Sequence, residues 1–330
     1  MRAISYTRFG PAAEVLELFD LPDQMPGSGE VTVRLERSGV NPSDVKARAG
    51  TRPGVTKPAF DRIIPHSDGA GVITQIGAGV DAARVGQRVW IWNGQWGRPF
   101  GTAASHITLP EAQVVPLPEG VSTDTGAVLG IPGLTAAHAV FGGGDVSGQT
   151  VLVQGGGGTV GFLAVQLAAW GGARVIATAS ARDEDRVRSA GAEIVLPYDA
   201  PDLPSALRTA TDAEYVDRIV DTEFGVNANA NADLIAPNGT IAAYGSAKDM
   251  APTLPFGPLL FKAATIDILL VYLLPQAQRD AAIARLHAAL LDDALHVPIA
   301  QIYSMTDAAS AHEAVETGGR AGAILLNCTS

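Results

Sequence analysis

Five glycines, Gly155, Gly156, Gly157, Gly158 and Gly161, lie between the apolar run Val151-Leu152-Val153-Gln154 and an amphipathic stretch over 160–170. Glycine lets a backbone turn tightly at the end of a buried strand, approach a pyrophosphate closely, and pack a helix against that strand. The N–H groups at the start of the helix then face the phosphates. The spacing predicts a dinucleotide turn with Gly155, Gly158, Thr159, Val160 and Gly161 against the cofactor. The bland alternative is a merely Gly-rich loop. The strand before it, the helix after it and the strand-helix units that follow weigh against that alternative.

Cofactor choice is read at the end of the second strand, where an acid about 20 residues past the glycines binds the ribose hydroxyls of NAD. Here the residues are Thr178-Ala179-Ser180-Ala181-Arg182. A short hydroxyl beside a guanidinium suits a 2′-phosphate, because arginine can clasp phosphate oxygens bidentately. Ser180 and Arg182 therefore point to NADPH. The competing reading makes Arg182 and Arg186 a solvated helix face with Asp183, Glu184 and Asp185.

The elements that must position these residues follow two textures. To about residue 120 the chain reads as short alternating strands, at 31–35, 71–76, 88–92 and 114–117, separated by Gly and Pro. From about 127 it alternates strand and helix: strands at 151–154, 174–179, 194–198, 218–221 and 240–244, helices at 160–170 and around 183–190. That is the rhythm of a doubly wound parallel sheet. The Asn-Ala run at 227–232 belongs to a helix. An apolar segment over 266–274 reads as an edge strand. A helix at 276–291, then a helix at 308–317 and a strand at 323–327, read as a return to the first domain.

The chain has 330 residues, 47% of them hydrophobic and 17% charged, room for two domains with a core each. No apolar run approaches the ~20 residues of a membrane span. The N-terminus shows no secretory pattern, so a cytoplasmic protein is expected. A net charge of -11 opposes nucleic-acid and anionic-membrane partners and favours small-molecule chemistry. One cysteine, Cys328, allows neither an internal disulfide nor a cysteine-rich zinc site.

Five segments in order resemble the medium-chain dehydrogenase/reductase superfamily, and within it the zinc-independent quinone oxidoreductase (zeta-crystallin-like) branch. They are Ser38-Gly39-Val40-Asn41-Pro42-Ser43-Asp44, Pro65-His66-Ser67-Asp68-Gly69-Ala70-Gly71-Val72, Gly130-Ile131-Pro132-Gly133-Leu134-Thr135-Ala136, the glycine turn, and Ala243-Tyr244-Gly245-Ser246. The resemblance covers nearly the whole chain. It implies an α/β protein with a GroES-like β-rich catalytic domain, 1–124 and 270–330, around a Rossmann domain, 125–269, and a homodimer paired through the 266–274 strand. It implies an enzyme that moves a hydride from NADPH to a quinone or conjugated carbonyl. The alternatives are an NADPH-dependent enoyl or 2-alkenal reductase, or a non-catalytic NADPH-binding protein.

Zinc-dependent members hold their metal through cysteine and histidine, and at the matching places this chain has Asn41, Ser67 and 130–132, so no metal is expected. His66, one residue away, is read as a buried histidine. Without a Lewis acid the reaction rests on positioning. By resemblance Asn41 lies beside the nicotinamide, Asp44 borders the same cleft, and Ser43 donates to a substrate oxygen. The bland reading of this stretch is turn and capping chemistry. Thr51-Arg52 replaces the usual tyrosine position, and Arg52 favours an acidic acceptor. Thr135, Tyr198 at the 2′-phosphate, Tyr244, Gly245, Ser246, Leu270, Tyr272 and Arg320 complete the implied cofactor set. Trp90, Trp92, Trp96 and Phe100 are either a cleft wall for a flat ring or, more ordinarily, core.

Overall fold

The computed structural model describes residues 1–51 and 54–329. It divides into two compact units, Met1–Ile131 with Val297–Ser330, and Pro132–His296. Arg52 lies outside the described residues.

The second unit is a six-stranded sheet with every neighbouring pair parallel. Its strands run across the sheet as Ile194–Pro197, Arg174–Ala179, Thr150–Val153, Val216–Asp221, Ile235–Ala243 and Thr265–Ile268. Val151, Leu152 and Val153 are fully buried, as strands covered by helices on both faces must be, which is why they read as unbroken apolar runs. The strand order reverses between Thr150–Val153 and Val216–Asp221, and in open α/β sheets ligands bind outside the carboxyl ends of the strands at such a switch point. Helix Thr159–Trp170 buries every residue from Gly161 to Ala168.

The segment 270–296, expected with the chain ends, packs in this second unit. Helix Gln276–Leu291 lies on helix Leu134–Phe141, with the Arg285 guanidinium 4.7 Å over the Phe141 ring. His296 is fixed from both sides by Gln166, whose Nε2 donates to its carbonyl (3.0 Å) and whose Oε1 accepts from its N–H (2.8 Å). The strand expected over 266–274 stops at Ile268, and a single 3-10 turn, Val271–Leu273, follows. Its partner ends at Ala243, which pairs with Ile268, so no ladder exists beyond that point for the chain to follow.

In the first unit the 11-residue strand Glu30–Val40 is the hub. It pairs antiparallel with Asp68–Ile76, with His106–Pro110 and with Ala323–Asn327. Its inward residues Val31, Val33 and Leu35 are fully buried, alternating as a sheet with one covered face requires. Trp90 and Trp92 belong to this unit's interior, at 0% and 8% exposure. The Trp92 indole N–H donates to the Ala112 carbonyl (3.2 Å). The ordinary reading of those two aromatics holds, and the cleft wall does not. Among the described residues no helix is long and apolar enough to cross a membrane.

Candidate functional site

The turn after strand Thr150–Val153 is shaped by backbone crowding. Gly155 has φ +75°, the left-handed region that side chains disfavour. Its N–H donates to Thr178 Oγ1 (3.0 Å), and its carbonyl accepts from Gly158 N (3.0 Å). A Cβ on Gly161 would lie 2.2 Å from the Gly155 carbonyl oxygen, so no side chain fits there. Gly158 begins helix Thr159–Trp170 without a side-chain cap. The first helical hydrogen bond runs from Phe162 N to Gly158 O (2.8 Å), which leaves the N–H groups of Thr159, Val160 and Gly161 directed past the helix end. A pyrophosphate fits this cradle, with the positive end of the helix dipole behind it.

At the end of strand Arg174–Ala179 the side chains converge on a carboxylate. Ser180 Oγ donates to Asp183 Oδ2 (2.7 Å), Arg186 Nη2 to Asp183 Oδ1 (3.0 Å), and Arg182 Nη2 to Asp183 Oδ2 (3.3 Å). Burial by itself would raise the Asp183 carboxyl, but the Ser180 hydroxyl and the two guanidiniums outweigh it and hold it below the usual range. The Arg182–Arg186–Asp183 grouping is thus the one that the competing reading of the sequence named. Asp183 itself is only 7% exposed, not part of a solvated face. Tyr198, exposed, follows the neighbouring strand, and its N–H donates to the Ala179 carbonyl (3.1 Å).

The carboxyl ends of the two central strands carry a network that sequence reasoning missed. Asp221 is fully buried and accepts from Glu223 N (2.8 Å), Asn227 Nδ2 (2.9 Å) and Asn231 Nδ2 (2.6 Å), while Asn231 Oδ1 accepts from Gln154 Nε2 (2.5 Å). Burial pushes the Asp221 carboxyl up, and these donors oppose the shift. The signal was present, since Asn227 and Asn231 stand four apart and so share one face of helix Phe224–Leu234. Tyr244 N donates to the Asp221 carbonyl (3.0 Å), and burial pushes the Tyr244 phenol up to about 12. Gly245 O accepts from Phe224 N (2.9 Å) and Ser246 Oγ from Gly225 N (2.8 Å), tying this segment to the start of the same helix. Thr135 is buried in helix Leu134–Phe141, whereas Leu270 is exposed beside the Val271–Leu273 turn that holds Tyr272.

In the first unit Asn41 precedes helix Pro42–Ala49, and Asp44 reaches back to accept from the Asn41 backbone N–H (2.8 Å). That is capping chemistry. The Asn41 side chain does something else: its Nδ2 donates to Asp68 Oδ2 (2.8 Å). Asp68 is fully buried. Burial, then the neighbouring Asp44 carboxylate, push its carboxyl well above the usual range, and the Asn41 amide opposes them. A Cβ on Gly130 would meet Asp68 Oδ1 at 2.2 Å. Ser43 is half-buried on the same helix. Arg320 stands apart from this cluster's hydrogen bonds, turned back so that Nη1 donates to the Val315 carbonyl (3.4 Å).

His66, at φ +75° and fully buried, points the other way. Its Nδ1 lies 2.9 Å from Ser38 Oγ, and its Nε2 lies 2.9 Å from His312 Nε2. Ser38 Oγ also lies 2.8 Å from Thr102 Oγ1, which donates to the Asp68 carbonyl (2.5 Å). Burial drives both imidazoles down, His312 to about 3 with the Arg48 guanidinium adding to the effect. Two neutral rings therefore share one proton between their Nε2 atoms. At the places where related enzymes hold zinc, Asn41 is engaged with Asp68, and among the described residues no three His, Cys, Asp or Glu side chains are grouped to hold a metal ion.

Comparison with known proteins agrees with this architecture. Residues 27–119 match the alcohol dehydrogenase GroES-like domain and residues 159–288 the zinc-binding dehydrogenase family. The chain is 32% identical over 250 residues to the quinone oxidoreductase of Rattus norvegicus, covering 74% of this chain and 73% of the relative. A mycobacterial protein solved with NADPH superposes with a TM-score of 0.84 at 28% identity, over 99% of this chain and 100% of the other. A structure described as an NAD-dependent alcohol dehydrogenase superposes with a TM-score of 0.85, also at 28% identity, over 99% of each chain. The fold and the nucleotide turn are those of an oxidoreductase that takes an NAD(P)-type cofactor. The chain belongs to the medium-chain dehydrogenase/reductase superfamily, in its quinone oxidoreductase (zeta-crystallin-like) branch.

Proposed function

We propose that this chain is an NADPH-dependent, zinc-independent quinone oxidoreductase that works in the cytoplasm as a homodimer. The observation that carries the reading is the uncapped N-terminus of helix Thr159–Trp170 behind a glycine turn in which Gly161 leaves no room for a side chain. NADPH, when bound, supplies a hydride to an electrophilic carbon of a quinone or conjugated carbonyl.

The protein's part is to bind and to orient. Gly155, Gly158, Thr159, Val160 and Gly161 take the pyrophosphate. Ser180, Arg182 and Tyr198 would take the adenosine 2′ position, and Arg320 would join them by leaving the Val315 carbonyl. Thr135, Tyr244, Gly245, Ser246, Leu270 and Tyr272 border the rest of the cofactor. Asn41 holds the nicotinamide amide, with its own amide fixed by Asp68. Ser43 donates to the acceptor oxygen as charge develops there, with Asp44 fixing the helix start and Arg52 favouring an acidic acceptor. No metal step is needed, because a quinone accepts hydride without a Lewis acid. The dimer reading is supported by Ile268, 79% exposed on the edge strand Thr265–Ile268, whose free side would otherwise invite pairing.

The test is anaerobic NADPH oxidation, with NADH alongside, against benzoquinone, phenanthrenequinone, 2-alkenals and 2-alkenoic acids, before and after chelation. Chelator-insensitive quinone turnover with NADPH preferred is the expected result. Turnover confined to alkenes would make the chain an enoyl or alkenal reductase, loss on chelation would overturn zinc independence, and tight binding without turnover would leave a cofactor-binding protein.

A further inference from the structure

We propose that Asp183 occupies the donor set that reads the adenosine 2′ position, and so limits how strongly this chain prefers a 2′-phosphate over a 2′-hydroxyl. The proposal rests on the dinucleotide reading above and assigns a specificity role to a residue outside the set read from the sequence.

Three donors that suit a phosphate already have an anion. Ser180 has one hydroxyl proton, and it goes to Asp183 Oδ2 at 2.7 Å. Arg186 is committed further. Its Nη2 is shared between Asp183 Oδ1 (3.0 Å) and the Gly157 carbonyl (2.6 Å), and its guanidinium lies 4.7 Å over the Phe162 ring. Arg182 is the least held, with one 3.3 Å contact to Asp183 and a side chain 62% exposed. It is the more exposed of the two guanidiniums, with donors left for a ligand, whereas the spare Nε of Arg186 is buried.

The carboxylate is also well placed to be felt by that ligand. A Cβ on Gly157 would stand 2.9 Å from Asp183 Oδ2 and 3.0 Å from its Cγ, so the carboxylate lies directly against the glycine turn. Two guanidiniums and one carboxylate leave a net charge of +1 where the free donor set would carry +2. A phosphate monoester carries about −1.5 to −2 near neutrality and cannot donate to Asp183. It must compete with the carboxylate for Ser180 and repel it at close range. A ribose 2′-hydroxyl meets no such opposition, because it can donate to Asp183 and accept from Arg182. Asp183 thus acts as an internal counter-ligand. It favours the hydroxyl and taxes the phosphate, while Arg186 is a positioning residue that anchors Asp183 to the turn.

The test uses the full chain and binding alone, by calorimetric titration with adenosine 2′,5′-bisphosphate and with 5′-AMP, followed by NADPH and NADH. Asp183→Asn keeps the size and an acceptor for Ser180 but removes the charge. It is expected to tighten the bisphosphate about tenfold and to change 5′-AMP by less than about twofold, with the NADPH-to-NADH affinity ratio moving the same way. Arg182→Ala is expected to weaken the bisphosphate about tenfold with 5′-AMP unchanged, through loss of a charge-assisted contact. An unchanged ratio in Asp183→Asn, or a loss of bisphosphate affinity, overturns the proposal; the second would mean that the carboxylate serves to pre-organise the arginines. Should Asp183→Asn fail to fold by thermal unfolding, Asp183→Ser carries the same expectation. A wild-type chain that binds NADH more tightly than NADPH would sink the NADPH reading, yet the shift on removing the Asp183 charge would still be measured.

Discussion

The glycine turn at 155–161 and the polar patch around Asp68 are built from opposite materials. The turn works through backbone: a left-handed Gly155, no room for a Cβ at Gly161, and a helix end without a cap. The patch works through side chains gathered from remote parts of the chain, Asn41 to Asp68 and His66 to His312, each closed on another member. One region presents backbone N–H groups at a helix end, and the other pairs side chains with one another. An arrangement of the first kind is sensitive to the addition of atoms, and one of the second kind to protonation and to the loss of a partner.

The largest effect expected is at the turn. Gly161→Ala places a methyl 2.2 Å from the Gly155 carbonyl. It should cost ~2–4 kcal/mol of stability and at least about a hundredfold in dinucleotide affinity, as overpacking against rigid backbone does. Gly158→Ala meets the same oxygen at 3.4 Å, an ordinary contact, and should change affinity only about threefold or less. Fluorescence titration with NADPH, paired with thermal unfolding, compares them. Equal losses would mean that crowding does not shape the turn.

The patch should answer to pH with two opposite slopes. His312 falls from the ordinary ~6.5 to about 3 on folding, so between those values the unfolded chain binds the extra proton and this group's stability is lost as pH falls. Asp68 is raised, so the folded chain holds the extra proton and its contribution is lost as pH rises above ~3.9. Relative to the native chain, His312→Leu should therefore gain ~2 kcal/mol between pH 6.5 and 5, and Asp68→Asn should lose stability as pH falls toward ~3.9, the opposite slope. Denaturant unfolding at several pH values reads both, and parallel curves for either variant would show that the group does not titrate as stated.

Asn41→Ala comes next in size. It removes the amide that faces Asp68 Oδ2 and should cost ~1–2 kcal/mol, the usual penalty for an orphaned buried acceptor. Asn41→Ser should recover part of that loss if the hydrogen bond, and not bulk, is responsible. The smallest effect belongs to Arg188→Ala. Its partner Glu184 is one turn away at 3.0 Å, with both side chains near half exposure, and the unfolding midpoint should move by no more than ~0.5 kcal/mol.

How much of this could be read in advance follows the same division. The parallel sheet was legible because Val151, Leu152 and Val153 are buried on both faces and so form an unbroken apolar run. The placement of helix Gln276–Leu291 was not legible, because nothing local distinguishes a helix packed on Leu134–Phe141 from one packed elsewhere. The 266–274 strand was read too long, since strand length depends on where its neighbour ends. Trp90 and Trp92 carry no local mark that separates an interior ring from a pocket wall.

By itself the sequence determined the nucleotide turn and the rhythm that frames it, because glycine conformation and apolar periodicity act within a few residues. Tertiary structure alone decided that His66 meets His312 across 246 residues of chain, that the Asn41 amide is turned to Asp68, and that Asp183 leaves a helix face to lie against Gly157. Such contacts arise between surfaces that the chain brings together only when folded, and a burial that shifts a carboxyl or an imidazole has no counterpart in residue spacing.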